Sequence, residues 1–206
     1  MTIEKGKEWG TPIAVPSHRV FVTSDRELAN ATSEEIISVV GGDVWRALGM
    51  PVATSESTTG MLLPLDALEV SVTAEGGTTT VLAASCVEIG RWRYVPLLQN
   101  RSRYVCISNA GLVGKRSIAP RAHPNDGKFE VMTLAGEMDV RQRRLSYKRS
   151  ITGTHVPHPF IEIKQAVSID IARQSSREIL HIDHIHISQW DSISVAISPD
   201  HWNLFV

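Results

Sequence analysis

The sequence predicts a mainly β protein, an antiparallel β-sandwich with a short helical N-terminal segment. From Met61 onward, short runs of β-branched and aromatic residues alternate with clusters of Gly, Asn, Ser and Pro, and helical periodicity is largely absent. Many short strands at close spacing are typical of a sandwich or barrel. Helix-start signals are concentrated before this region. We therefore predict an N-terminal segment over residues 1–52 and a sandwich domain over residues 53–206.

The N-terminal segment contains two helix-start signals after an irregular beginning. Residues 1–18 are rich in Gly, Pro and polar groups, and residues 19–23 form the first candidate strand. Ser24 and Thr32 are each followed three residues later by a glutamate, which is the pattern of a capping box. We expect one helix, or two short ones, to run toward Val40.

The remaining chain is predicted to be strands, with one exception. The predicted strands cover residues 67–73, 78–88, 103–108, 128–133, 160–168, 179–187 and 192–197. Residues 140–150 lack the alternation of a strand and carry five cations. They are interpreted as a helix that lies on the sandwich.

The segment Pro124-Asn125-Asp126-Gly127 has the composition of a tight turn. Proline sets φ in advance, the Asn and Asp side chains bond to their own backbone, and glycine accepts a positive φ. Phe129 then begins an alternating pattern that predicts a strand with one buried face.

Composition excludes several classes of protein. The 206 residues carry a formal net charge of -1, so nothing attracts the whole chain to nucleic acid, and an anionic partner requires a local patch. No apolar run approaches the ~18 residues that a membrane span needs. The N-terminus has no apolar signal region. Cys86 and Cys106 lie in apolar runs, as expected for buried reduced thiols. The sequence therefore predicts a cytoplasmic protein without a transmembrane segment.

A series of motifs in order resembles the C-terminal half of the diacylglycerol kinase and sphingosine-type lipid kinase family. The motifs are Gly41–Pro51 (similar to TGNDFAR-x-LG-x-P), Pro64–Asp66, Ile107–Gly111, Ala119–Gly127 (similar to AP-x-A-x-x-x-DG), Gly153–His155 and His158–Pro159. Each motif is weak alone, but their order and spacing are specific. With Glu8–Gly10, the chain resembles short actinobacterial-type relatives of these kinases.

The resemblance implies functional residues. The family's sandwich holds a structural Mg²⁺ through the Asp of its DG pair and neighbouring carbonyls, which correspond to Asp126 and to the carbonyls of His123 and Lys128. Oxygen ligands of this kind suit a hard cation. The resemblance also places Asp43 and Arg46 in a ligand-binding segment.

Two features of the family are missing from the sequence. The residues before the first motif are too few for a βαβ nucleotide domain, and no GGDGT motif occurs, so no ATP binding is expected of the isolated chain. The family's Asp-Gly-Glu, whose Glu is the general base, corresponds to Asp183-His184-Ile185. Isoleucine has no proton acceptor, so general-base catalysis at that position is excluded.

Two further groups of residues are candidate binding sites. His184 and His186 would share one face of a strand, which suits a metal site, but the sequence identifies no third ligand. The arginines Arg141, Arg143 and Arg144 suit phosphate or an anionic lipid headgroup, because the guanidinium fork matches phosphate geometry. A solvated helix face neutralised by nearby acids is the alternative.

The prediction is therefore a non-catalytic relative of lipid kinases that binds an anionic lipid, a phosphorylated metabolite or a protein partner. A homodimer is also compatible with the sequence. The first alternative is half of a lipid kinase whose nucleotide domain comes from another chain. The second alternative is a metal-dependent enzyme that uses His184 and His186.

Overall fold

The computed structural model describes residues 9–51, 58–92 and 103–206. Its strands are β1 Thr11–Ala14, β2 Val20–Val22, β3 Ile36–Val39, β4 Thr59–Ala74, β5 Gly77–Ala83, β6 Cys86–Ile89, β7 Tyr104–Ser108, β8 Leu112–Val113, β9 Arg116–Ser117, β10 Phe129–Leu134, β11 Ile161–Ala166, β12 Ser168–Ala172, β13 Leu180–Ile182, β14 Ile185–Ile187 and β15 Ser192–Phe205. Its helices are α1 Asp25–Ala29, α2 Gly42–Ala47 and α3 Val140–Arg149, and a 3₁₀ turn covers Ser150–Thr152.

Two large sheets form the protein. The first sheet has the order β1-β4-β15-β3-β2, with β5 also paired to β4 and β12 also paired to β15. Its pairs are antiparallel except for those of β3, which runs parallel to β15 and to β2. The second sheet has the order β11-β10-β7-β6-β13-β14 and is antiparallel throughout. The predicted antiparallel sandwich is confirmed.

The central strands of the second sheet are buried on both faces. In β7, Val105 and Ile107 point into the core between the two sheets, where they meet Leu68 and Val195 of the first sheet. The alternate residue Tyr104 joins a separate core on the outer face. This alternation follows from the two-residue period of a strand. Helix α3 packs over this outer core and shields its apolar side chains from water.

Helix α3 confirms the predicted helix over residues 140–150. Asp139 caps its N-terminus by accepting a hydrogen bond from the Gln142 amide at 2.9 Å. On the buried side, Tyr147 packs against the outer core. The Trp92 indole donates to the Ser146 hydroxyl at 3.3 Å, which ties the helix to the end of β6. One face of α3 is therefore fixed against the sheet.

The N-terminal prediction was partly wrong. Helix α1 forms as expected, with Ser24 accepting from the Glu27 amide at 3.2 Å. The second capping box precedes the strand β3, although Glu35 does accept from the Thr32 amide at 3.1 Å. Residues 36–39 read Ile-Ile-Ser-Val, and such β-branched residues favour a strand when two neighbouring strands are available for pairing. The segment predicted to be irregular also contains β1.

Strands from both sides of the predicted boundary at residue 52 share the first sheet, because β1 pairs with β4 and β3 with β15. The division into domains stays a prediction. Cys86 and Cys106 are free and buried, as the sequence predicted. Within the three described ranges, no helix is long and apolar enough to cross a bilayer.

Candidate functional site

Three buried aspartates and one histidine meet beside the start of β6. Asp25 belongs to α1 and Asp43 to α2, whereas Asp183 and His184 form the turn between β13 and β14. All three aspartates are buried, and the His184 side chain is 45% exposed. The cluster contains the residues that correspond to the family's ligand segment and to its Asp-Gly-Glu.

The Asp183-His184 turn explains why two predicted strands are interrupted. Both residues have positive φ, +44° and +65°, in a two-residue hairpin loop. The Asp183 carboxylate accepts hydrogen bonds from the amides of Ala84, Ser85 and Cys86 at 2.8, 2.9 and 3.0 Å, which holds the break between β5 and β6. Burial raises the pKa of Asp183 to about 6, against the opposing effect of these amides.

The hairpin also corrects the expected pairing of His184 with His186. The prediction assumed one continuous strand over residues 179–187, in which the two side chains would share a face. Because His184 lies in the turn, His186 instead lies opposite His181 on the paired strand, with ring centroids 5.5 Å apart. The structure therefore does not bring His184 and His186 together.

Asp43 is the most densely bonded carboxylate of the cluster. It has no exposed surface, and it accepts from His184 Nε2 at 2.8 Å, from the Gly114 amide at 2.9 Å and from the Ser85 hydroxyl at 3.4 Å. Arg46 donates to its Oδ1 atom. Burial alone would raise the pKa of Asp43, but the hydrogen bonds from His184, Gly114 and Arg46 together lower it.

Asp25 supports this arrangement by capping α2. Its carboxylate accepts from the amides of Asp43 and Val44 at 2.7 and 3.0 Å, in the place of the missing side chain of Gly41. Gly42 has a φ of +91°, and a Cβ there would lie 2.5 Å from Asp25 Oδ1. Glycine at position 42 is therefore needed for the approach of Asp25. Burial raises the pKa of Asp25.

His184 is held between two carboxylates. Its Nε2 atom bonds to Asp43, and its Nδ1 atom lies 3.8 Å from Glu88 Oε2. The Tyr104 hydroxyl donates to the other Glu88 oxygen. The hydrogen bond to Asp43 raises the pKa of His184, although burial opposes it. Ile185, at the position of the family's glutamate, is half-buried in β14 and offers no acceptor.

The loop of Asp126 is anchored by a residue that sequence reasoning left without a role. Asp66 is fully buried and accepts from Asn125 Nδ2 at 2.9 Å and from the Gly127 amide at 2.8 Å. Asp126 is half-buried, and its oxygens accept from the Lys128 amide at 3.1 Å and from Gln165 at 3.4 Å. The predicted turn is therefore built around Asp66.

A cation at Asp126 requires an oxygen of that carboxylate. Oδ1 already accepts a hydrogen bond from the Lys128 amide, so Oδ2 is the oxygen available to a cation. Cation binding there would break the 3.4 Å contact between Oδ2 and Gln165. His123 binds back to the turn by accepting from the Asn125 amide at 3.2 Å. Mg²⁺ at Asp126 with the carbonyls of His123 and Lys128 stays a prediction.

A cavity of about 830 Å³ lies beside β11. Isoleucines of β11 form part of its wall, and polar groups are contributed by Arg121, Glu130, His158, Lys164 and Gln165. Glu130 is buried and accepts from Gln165 Nε2 at 3.1 Å. Burial raises the pKa of Glu130 to about 7.

We expect Glu130 to make the wild-type protein less stable as the pH rises from about 4.5 to about 7. In that window the folded state keeps a proton that the unfolded state has released, so stability falls with rising pH. Glu130→Gln should remove this dependence and raise the free energy of unfolding at pH ~8 by about 2 kcal/mol. Urea unfolding of the wild-type protein and of Glu130→Gln at several pH values measures the free energy of unfolding and its pH dependence. Parallel pH profiles for the two proteins would contradict the assignment.

The cations of α3 do not all lie on one face. Arg141, Arg144, Lys148 and Arg149 are exposed, whereas Arg143 is buried and donates from Nη1 to the Arg91 carbonyl at 3.5 Å. Burial lowers the pKa of Arg143. The structure thus separates Arg143 from Arg141 and Arg144, with which the sequence had grouped it. We call the exposed cations, together with Leu145, the α3 face.

Several residues of the cluster were not found from the sequence. Asp25, Ser85, Cys86 and Glu88 stand in ordinary strand or helix contexts, and their partners are distant along the chain. For Asp66, a signal existed in the short Pro-Leu-Asp motif, although that motif does not reveal its partners.

The fold is a two-sheet β-sandwich, and the carboxylate cluster lies at the link between β5 of one sheet and β6 of the other. The family model for the "YegS C-terminal NAD kinase beta sandwich-like domain" matches residues 62–184, more than half of the chain. The chain belongs to this family, and the resemblance to the C-terminal domain of lipid kinases is confirmed.

Solved structures share the fold at low identity. A proposed diacylglycerol kinase from Bacillus anthracis str. Sterne aligns with a TM-score of 0.58 and 13% identity, covering 90% of this chain and 76% of its own. Another diacylglycerol kinase structure from that organism aligns with a TM-score of 0.54 and 14% identity, covering 90% of this chain and 74% of its own. Yeast NADH kinase complexed with NADH aligns with a TM-score of 0.50 and 10% identity, covering 89% of this chain and 59% of its own. No curated protein matches the chain at a significant level.

Proposed function

We propose that this chain is a non-catalytic member of the family that binds an anionic lipid surface through the α3 face. The observation that carries the proposal is the composition of that face. Four exposed cations surround Leu145, whose exposure is 47%, and Ile151 just beyond the helix is 60% exposed. A helix that presents cations together with exposed apolar side chains suits the surface of an anionic membrane.

Helical spacing places these residues together. Arg141, Arg144, Leu145 and Lys148 follow the i, i+3, i+4, i+7 pattern, which brings them onto one side of the helix. The opposite side, with Ser146, is fixed to the sandwich. Within the described part of the chain, no acidic side chain pairs with Arg141, Arg144 or Lys148, so neutralisation by nearby acids is not supported.

The buried cluster supports the non-catalytic part of the proposal. Asp43 has no exposed surface and already accepts hydrogen bonds from His184, Gly114 and Arg46, so a nucleotide or lipid substrate cannot reach its carboxylate. Ile185 provides no base. The idea that another chain supplies a nucleotide domain would still require such a base, so we favour lipid binding over half of a kinase.

Vesicle co-sedimentation tests the proposal. We expect the protein to pellet with vesicles that contain phosphatidylglycerol and to stay in solution with vesicles of phosphatidylcholine alone. Because surface charge is screened by salt, binding should weaken as ionic strength rises. Equal binding to both kinds of vesicle, or binding to neither, would contradict it. In parallel, ATP-dependent phosphorylation of diacylglycerol by the purified chain would contradict the non-catalytic assignment.

The apolar residue at the centre of the α3 face should contribute to membrane affinity. Leu145→Ser is expected to lower partitioning onto phosphatidylglycerol vesicles about tenfold, because a leucine that enters the interface loses its exposure to water. The thermal midpoint should change little, since Leu145 is already exposed. Val81→Ser, at another exposed apolar residue on β5, is the matched control and should bind like wild type. Equal losses in both variants would exclude a specific role for Leu145.

A further inference from the structure

We propose that Asp43, Cys86 and His184 form a Zn²⁺ site, which is separate from the α3 face and independent of the proposed lipid binding. The three residues come from α2, β6 and the β13–β14 turn. A carboxylate oxygen, the thiol sulfur and a ring nitrogen lie within 4.8 Å of one another. Carboxylate, thiolate and imidazole are the ligand types that zinc takes in proteins.

The three ligand atoms lie near enough for small shifts to complete a bound site. Tetrahedral zinc ligands lie about 3.3 to 3.6 Å apart, given bonds of about 2.0 to 2.3 Å. His184 Nε2 and Asp43 Oδ2 are 2.8 Å apart, and these are the two atoms that a cation would separate. The His184 side chain is 45% exposed and can shift, whereas Cys86 is fully buried. Three protein ligands leave a fourth position for water on the exposed side of His184.

The surroundings of the ligands match the site. Metal-bound histidines usually direct the second ring nitrogen to a carboxylate. His184 Nδ1 faces Glu88 at 3.8 Å, and the Tyr104 hydroxyl holds Glu88 from the other side. Arg46 bonds to Oδ1 of Asp43, whereas Oδ2 accepts from His184 Nε2, the Gly114 amide and the Ser85 hydroxyl. A metal at Oδ2 would replace the contact with His184 while the Arg46 ion pair remains.

Cys86 distinguishes the proposed site from a simple ion pair. Asp43 and His184 could neutralise each other without any sulfur, so an ion pair predicts no role for the thiol. Zinc binding requires the thiolate, and the proton of Cys86 is released to solvent when the Zn–S bond forms. Cys106 gives a matched comparison, because it is also free and buried and lies opposite Glu88 on β7.

Metal analysis and cobalt spectroscopy test the site. After incubation with Zn²⁺ and dialysis, the full chain should retain one zinc ion per molecule. With Co²⁺ in place of Zn²⁺, a thiolate-to-cobalt charge-transfer band should appear, and Cys86→Ser should abolish it while Cys106→Ser keeps it. Glu88→Gln should weaken Zn²⁺ affinity by about 10- to 100-fold. His184→Ala changes a half-exposed side chain, so it should stay folded and lose stoichiometric zinc.

Three results would overturn the proposal. The first is wild-type protein that retains no zinc after dialysis. The second is a cobalt spectrum without a charge-transfer band, or with a band that persists in Cys86→Ser. The third is folded His184→Ala, verified by circular dichroism, that binds Zn²⁺ as tightly as wild type.

Discussion

Replacing Asp66 by alanine should lower the free energy of unfolding by more than about 3 kcal/mol, which is a large part of the stability of a single domain. The carboxylate accepts from Asn125 Nδ2 at 2.9 Å, from the Gly127 amide at 2.8 Å and from the Asp200 amide at 2.9 Å. The residue has no exposed surface, so water cannot replace these bonds easily. The alanine variant leaves several buried donors without an acceptor.

The backbone of Asp66 joins the same junction. Its amide donates to the Pro124 carbonyl at 3.0 Å, and its carbonyl accepts from Asn109 Nδ2 at 2.7 Å. Burial raises the pKa of the carboxyl, although Gly127 and Asn125 oppose that shift. Asp66 therefore connects β4 with the 124–127 turn and with the irregular part of β15 near Asp200.

Urea unfolding measures the effect. Asp66→Asn keeps the shape but places an amide group among donors, so an intermediate loss is expected. Asp170→Asn changes an exposed aspartate on β12 and should stay within about 0.5 kcal/mol of wild type. If Asp66→Ala unfolds at the same urea concentration as Asp170→Asn, Asp66 is not the anchor of the turn.

Removing three cations from the α3 face should weaken binding to phosphatidylglycerol vesicles by more than about 100-fold. The variant combines Arg141→Ala, Arg144→Ala and Lys148→Ala. Each cation near an anionic surface contributes about 1 kcal/mol, so the loss is about 3 kcal/mol in partition free energy. Alanine has the highest helix propensity, and these side chains are exposed, so α3 should stay folded.

A second triple variant separates the α3 face from net charge. Arg26→Ala, Lys128→Ala and Arg177→Ala remove the same charge from exposed positions on other parts of the chain. This variant should keep most of the binding, as measured by the protein fraction that co-sediments across a lipid titration. Equal losses in the two triple variants would mean that attraction is general and that the α3 face has no special role.

Local chemistry was sufficient to predict some elements. The turn at residues 124–127, the helix α3 and the strand β10 each follow from residues that are neighbours in sequence, and all three are present. The single buried face predicted for β10 was wrong, because Glu130 and Met132 are buried as well as Phe129 and Val131. The failures have a common cause. Residues 36–39 follow a capping box, yet they become β3 because strands far away in sequence supply its hydrogen bonds.

The site was harder to predict because its contacts span long stretches of sequence. Asp183 holds amides almost a hundred residues away, and those bonds create the break between β5 and β6. The prediction that His184 and His186 share one face of a strand was wrong, because two residues with positive φ reverse the chain at His184. The resemblance of the Gly41–Pro51 segment singled out Asp43 as a ligand-binding residue, and that role stays a prediction. The complete burial of Asp43 depends on tertiary packing that no local pattern reveals.

The most direct test of lipid binding is a fluorescence measurement at Leu145. Both native cysteines are buried, so Leu145→Cys and, as a control, Val81→Cys can be labelled selectively with an environment-sensitive dye. Phosphatidylglycerol vesicles should shift the emission of the dye at position 145 to the blue, and brominated lipids should quench it, while the dye at position 81 stays unchanged. A dye at position 145 that remains in water while the protein co-sediments with the vesicles would contradict membrane binding through the α3 face.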